Sequence, residues 1–137
     1  MKTLLIPMTI FLLISVAFAQ SPNEAWPSGS AADTYYTAEQ QYKDSDKKLN
    51  MIYKKLLNAS YANTTPEIAI RHLVEAQKTW IKFRDTTCAM EGELRGGWPT
   101  WKSAKEMICK SEMTIQRIKD LENLFFDCCQ APPPQQK

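Results

Sequence analysis

Histidine is nearly absent. The chain has one, His72, between Arg71 and Leu73. With no second imidazole, a zinc site would have to be built from carboxylates, and no Asp or Glu group shows ligand spacing. No glycine-rich phosphate loop follows a strand, and no nucleophile elbow or triad pattern is present. These absences remove the common routes to catalysis, so the expectation is a protein that binds and is not an enzyme, with no cofactor and no metal. Excess charge is also lacking, since 17 basic side chains face 15 acidic ones. Pairs such as Lys47-Lys48 and Lys54-Lys55 are interleaved with acids and read as solvated helix faces, not as the clustered cations that counterion-driven nucleic-acid binding requires.

Glycine is scarce: the chain has four. Three of these, Gly92, Gly96 and Gly97, crowd into one stretch, so the segments on either side of it are free to be long helices.

Long apolar runs are missing except at the start. Met1-Lys2 opens a short charged region, Leu4 to Phe18 is almost unbroken in its apolarity, and Ala17-Phe18-Ala19 precedes Gln20 as a small-x-small cleavage site. The pattern predicts a secretory signal peptide over 1–19. The run is short for a membrane span, and no cysteine follows the site to carry a lipid, so the mature protein is expected to be secreted and not membrane-anchored. Cleavage removes only Lys2 from the charged set, leaving sixteen basic against fifteen acidic groups and a net charge of about +1.

Cysteine is present where disulfides form. All four, at 88, 109, 128 and 129, fall in the mature part of a chain bound for an oxidising compartment. The sequons Asn58-Ala-Ser60 and Asn63-Thr-Thr65 carry meaning only in a eukaryotic pathway.

In order, 20–32 reads as a flexible leader with Pro22, Pro27 and Gly29 and one large apolar residue, Trp26. The helical domain is expected over 33–127. From Asp33 or Thr34 to about Ser60, Ala38, Tyr42, Leu49, Ile52, Tyr53 and Leu56 recur at helical spacing. The stripe is interrupted at Ser45-Asp46, which sets Asp46 either beside the buried face, in need of a partner such as Arg84, or at the solvent edge. Thr64-Thr65-Pro66-Glu67 matches a helix start, and a second helix is expected to run to Met90 or Glu91 with Gly92 as its stop. On it, Ala76, Trp80, Phe83, Arg84 and Cys88 share one stripe in which rings, a guanidinium and a thiol meet the other helices. Glu91 to Thr100 is expected to be a loop, with Glu91, Glu93, Arg95, Gly96, Gly97 and Trp98 giving it charges of both signs and an aromatic. Trp98 either serves as a contact residue for a partner or covers the end of the bundle. Thr100 or Ser103 caps a third helix whose stripe is Ala104, Met107, Ile108, Ile115, Ile118, Leu121, Leu124 and Phe125 and which ends near Asp127. A Cys-Cys and proline-rich tail, 128–137, follows.

Short connections make the first two helices an antiparallel pair and predict a small all-α antiparallel bundle of three main helices, stapled by a disulfide. The turn between the second and third helices brings Cys88 and Cys109 to one end, whereas Cys109 and Cys128 on a continuous helix stand roughly 28 Å apart. Cys88–Cys109 is the preferred pair. Cys128 and Cys129 remain open between an adjacent bridge, an intermolecular link and free thiols.

Ser45-Asp-Lys-Lys-Leu-Asn50 with Tyr53 and Leu56, then Ala76-Gln-Lys-Thr-Trp80-x-x-Phe-Arg-Asp85-x-x-Cys88, then Gly96-Gly97, then Cys109-x-x-x-Met113-Thr114-x-x-Arg117-x-x-x-Leu121, resembles the LprI-type lysozyme-inhibitor-like domain of bacterial secreted proteins over about 35–125. The resemblance marks Asp46, Asn50, Trp80, Phe83, Arg84, Asp85 and Arg117 as structural positions. It implies an all-helical protein of the bacterial envelope or periplasm with lysozyme inhibition as its activity. The chain departs from the family pattern in three places: Ser30 to Gln41 holds no cysteine, Cys128-Cys129 stand at the other end, and Trp98 follows Gly97 where a small polar residue is usual.

Lysozyme holds two carboxylates in an open cleft. An inhibitor of this kind would insert the 91–100 segment, with Arg95 meeting a carboxylate in bidentate fashion and Glu93 meeting basic groups at the rim. A charge near +1 supplies no steering toward a basic enzyme. The alternative reading is an envelope interaction or structural module that binds another periplasmic protein through Cys128-Cys129 or the proline-rich tail.

Overall fold

The computed structural model describes residues 26–59 and 66–129. The signal sequence, the first part of the leader, Ser60 of the first sequon, the whole second sequon with Thr64-Thr65, and the proline-rich tail from Gln130 lie outside them. Three helices follow one another: α1 (Ala31–Leu57), α2 (Pro66–Leu94) and α3 (Pro99–Cys129). The described residues contain no strand, and none of their helices is long and apolar enough to cross a membrane.

α1 begins three residues before Thr34 because the end of the leader caps it. Ser30 is extended (φ −67°, ψ 162°), and its hydroxyl accepts from the Asp33 amide at 3.2 Å. Asp33 in turn accepts from the Gly29 amide at 2.8 Å, a reciprocal arrangement close to a capping box. Gly29 turns the chain into this cap at φ +76°, and Trp26 stacks on Tyr36 with ring centroids 6.0 Å apart.

Gly92 does not end α2. It lies buried inside the helix, and the stop falls at Gly96 and Gly97, both in the left-handed region (φ +67° and +95°) that glycine reaches without steric cost. The predicted loop 91–100 is correspondingly shorter. Glu91, Glu93 and Leu94 are helical, Pro99 and Thr100 already belong to α3, and the connection is Arg95 to Trp98. The Trp98 carbonyl accepts from the amides of Trp101 (2.9 Å) and Lys102 (3.1 Å), so Trp98 occupies the cap position with Pro99 as the first helical residue. Thr100 and Ser103, expected as caps, sit within the helix. α3 runs two residues past Asp127 to Cys129.

The bundle runs up, down and up. α2 is antiparallel to α3, as Gly92 beside Lys102, Cys88 bonded to Cys109, and Gln77 accepting from Arg117 require. α1 therefore runs parallel to α3: Tyr35 lies by Pro99 and Ser103, Lys48 pairs with Glu122, and Met51 lies by Phe125. The more extensive packing is between α1 and α3, not between α1 and α2.

The reason is in the seam. Ala38, Ser45 and Ile52, like Tyr42, Leu49 and Leu56, are seven residues apart, and so are Ala104, Ser111, Ile118 and Phe125, and Met107, Thr114 and Leu121. This is the repeat of a coiled-coil interface. Its buried members at one end are small, Ala38, Ser45, Ala104 and Ser111, while Leu49, Leu56, Ile118 and Leu121 form the core toward the other end, with Ile52, Tyr53, Leu73, Trp80 and Phe125 packed around it. Ser45, the interruption in the sequence pattern, is itself a buried seam residue, and its hydroxyl donates to the Tyr42 carbonyl at 2.9 Å. Ile115 and Leu124, expected in the α3 stripe, are exposed.

Candidate functional site

Two groups of residues carry the chemistry, one inside the bundle and one at its tip. Inside, Arg84 is 4 % exposed, and a charge at such depth persists only when its donors are used. Its Nε donates to Asp85 Oδ1 at 2.9 Å, its NH2 lies 2.8 Å from the same oxygen, and its NH1 donates to the Thr114 hydroxyl at 3.3 Å and stands 3.8 Å from Asp46 Oδ1. Tyr42 and Trp80 present their rings to the guanidinium, each with its centroid at 5.1 Å. Asn50 steadies Asp46 by donating to its carbonyl at 2.9 Å and to its carboxylate at 3.0 Å.

Trp80 receives a second cation. Arg117 stands 5.6 Å from the ring centroid, and its Nε donates to Oε1 of the buried Gln77 side chain at 3.1 Å. Burial holds Arg117 below the ordinary guanidinium value, with the nearby Asp120 carboxylate opposing that shift. α1, α2 and α3 thus meet around one tryptophan through two arginines, and cation–π contacts of this desolvated kind are worth about 1–2 kcal/mol each. Asp46, Asn50, Trp80, Arg84, Asp85 and Arg117 form one continuous polar network.

Phe83 is not part of it. Its ring is 59 % exposed, on a different face of α2 from Gln77, Arg84 and Cys88. The sequence stripe merged two faces: one leads inward, and the other, Phe83 with Met90 and Leu94 seven and eleven residues on, leads outward. In the sequence, that spacing was the signal for Met90 and Leu94 as members of an outer apolar face.

The outer face ends at the tip. Leu94 is 77 % and Trp98 81 % exposed, with Met90 and Trp101 also presenting apolar surface. Trp98 therefore does not cover the end of the bundle but stands away from it. The charges expected to face a partner are engaged locally: Arg95 Nε donates to Glu91 at 2.6 Å and Lys102 Nζ to Glu93 at 2.6 Å. Exposed pairs of this type contribute only about 0–1 kcal/mol and open readily. Gly96 and Gly97 supply the turn, and the Cys88–Cys109 bridge (Cα–Cα 5.4 Å) ties the two helix ends that flank it. The tip is a rigid mount carrying apolar side chains with paired charges at its margin.

His72 lies on the α2 surface by Ala69, Leu73, Arg117 and Asp120. Among the described residues no group of acidic, histidine and cysteine side chains is placed to hold a metal ion.

A family model described as "Lysozyme inhibitor LprI" matches residues 23–121. The chain is also similar to "Uncharacterized protein R02472" of Rhizobium meliloti (strain 1021), with 32 % identity over 123 residues that cover 80 % of this chain and 84 % of that protein. No solved structure matches it.

Proposed function

The chain belongs to the LprI lysozyme-inhibitor family, and from that premise we propose that it is a secreted, periplasmic, non-catalytic protein that binds lysozyme and blocks the active-site cleft with the tip between α2 and α3. The observation that carries this reading is the exposure of Trp98 (81 %) and Leu94 (77 %) on a turn whose flanking helices are cross-linked. Large apolar side chains in water on a preorganised mount are the makings of a contact hot spot, because little side-chain and backbone freedom remains to be lost on binding.

The local pairing of Arg95 with Glu91 and of Glu93 with Lys102 refines how such a complex would form. A net charge of +2 for the whole chain gives no long-range attraction to a basic enzyme. Trp98 and Leu94 would supply contact area, and Arg95 would exchange Glu91 for an enzyme carboxylate at small cost, since the exposed pair it leaves is weak.

The test is lysis of a peptidoglycan suspension followed by turbidity, with purified protein added to lysozyme. Inhibition that saturates with protein, and that falls at least about tenfold in potency for Trp98→Ala at unchanged helical content, is the expected result. Undiminished lysis at large molar excess refutes the inhibitor reading. Full inhibition by Trp98→Ala together with Leu94→Ser would leave the activity but move it away from the tip.

A further inference from the structure

The two bridges of this protein occupy opposite environments. Cys88 is fully buried and Cys109 nearly so, 21 residues apart in sequence, and their bond joins two helices. Cys128 and Cys129 are neighbours in the chain at the exposed end of α3, with Cys128 open to solvent, Cys129 half-buried and the exposed Phe126 nearby in sequence. Their Cα atoms are 3.8 Å apart, as any two residues across a trans peptide must be, which is shorter than the roughly 4.4–6.8 Å that disulfides usually span.

Folding favours the first bridge and not the second. Opening Cys88–Cys109 releases two helix ends that the packed bundle holds together, so the folded protein returns the two sulfurs to bonding distance. Opening Cys128–Cys129 frees no segment of chain and exposes no core. A bond that is open to solvent at Cys128 and closed across adjacent residues is the type that exchanges with external thiols.

We propose that Cys128–Cys129 is a thiol–disulfide exchange site that accepts two electrons from a dithiol, either a small molecule or a protein, while Cys88–Cys109 remains closed as the structural staple. In the first step a thiolate of the dithiol attacks one of the two sulfurs. The Cys128–Cys129 bond breaks, a mixed disulfide forms, and the released cysteine thiolate takes a proton from water. The second thiolate of the dithiol then attacks its own sulfur in the mixed disulfide and expels the other cysteine as a thiolate, which also takes a proton from water. The products are two protein thiols and the oxidised, cyclic form of the dithiol. At the mixed-disulfide stage the tail end of α3 is covalently attached to its partner, about the length of the helix away from the tip. This chemistry is independent of lysozyme binding.

The experiment is a titration of the oxidised full-length protein with dithiothreitol, quenched in acid, alkylated with N-ethylmaleimide and digested with trypsin. Cleavage after Lys119 places Cys128 and Cys129 together in one peptide, while Cys88 and Cys109 fall in others. Cys128 and Cys129 are expected to be labelled at a reductant concentration at least about tenfold below that needed for Cys88 and Cys109, with far-ultraviolet ellipticity unchanged across the first transition. Simultaneous opening of both bridges, earlier opening of Cys88–Cys109, or loss of helix in the first transition overturns the proposal. A second measurement uses Cys128→Ser/Cys129→Ser, which should melt within about 2 °C of the parent; a larger fall makes the pair a structural staple and also overturns it.

Discussion

Replacing Gly92 by alanine sets two well-sized effects against each other. In the interior of a helix alanine is favoured over glycine by about 0.8–1 kcal/mol, chiefly through backbone entropy. Gly92, however, is buried where α2 crosses α3. A Cβ at this position would lie 2.9 Å from the Lys102 carbonyl oxygen and 3.4 Å from Glu106 Cβ. The first atom is helix backbone and cannot swing aside, so α2 and α3 must separate. The Cys88–Cys109 bridge, one turn away along α2, prevents that separation locally. Overpacking under such restraint costs about 1–3 kcal/mol, which outweighs the propensity gain and leaves a net loss of roughly 1 kcal/mol. For a domain of this size the melting temperature should fall by about 2–8 °C, measured by circular dichroism on the oxidised protein. The restraint itself can be tested in a cycle with Cys88→Ala/Cys109→Ala. Without the bridge the helices can splay, and the Gly92→Ala penalty should shrink to about zero. An unchanged or raised melting temperature in the oxidised background, or an equal penalty in both backgrounds, refutes the reasoning.

Arg84→Met removes the cation shared by Asp85, Asp46 and Thr114 and leaves the fully buried Thr114 hydroxyl without its donor; urea denaturation should show a loss of about 3 kcal/mol. Arg84→Lys should recover little of it, because an ammonium cannot reproduce the planar fork seated between Tyr42 and Trp80. Ser111 has a buried hydroxyl with no hydrogen-bond partner among the described residues, so Ser111→Ala should be neutral or stabilising by up to about 1 kcal/mol in the same assay. Trp98→Ala, at a position largely in water, should change stability by less than about 0.5 kcal/mol, which lets a change in inhibition be read as a change in contact.

Much of the architecture was legible because long segments free of glycine and proline carry a helical repeat, and because one short connection brings Cys88 and Cys109 to the same end of the bundle and makes them the preferred pair. The order of packing was not legible. A search for large apolar residues passes over Ala38, Ser45, Ala104 and Ser111, although it is their small size that lets α1 and α3 close on each other. Gly92 was misread for a related reason: glycine stops a helix when the chain needs a positive φ, but it also permits a close helix crossing, and sequence alone does not separate the two. At the tip, the composition of 91–100 marked the turn between α2 and α3, yet spacing could not reveal that Glu93 and Leu94 are still helical or that Glu91 and Glu93 pair with Arg95 and Lys102. Phe83 followed its neighbours into the predicted core because a three-residue step from Trp80 matches the stripe's spacing, yet it sets Phe83 about 100° of helix rotation away from the inward-facing Arg84.

The parallel pairing of α1 with α3 shapes how the chain reaches its native state. Lys48 and Glu122, salt-bridged across that seam, are 74 positions apart in sequence, whereas Cys88 and Cys109 are 21 apart. The α2–α3 hairpin closes a short loop, and once oxidised its ends stay together even in the denatured chain. Docking of α1 is the non-local event, and loop-closure entropy must be met there before any seam contact forms. The oxidised protein therefore refolds through a search by one helix for a groove on a tethered pair. Substitutions in the small-residue seam should slow refolding, while substitutions at the tip leave its rate unchanged.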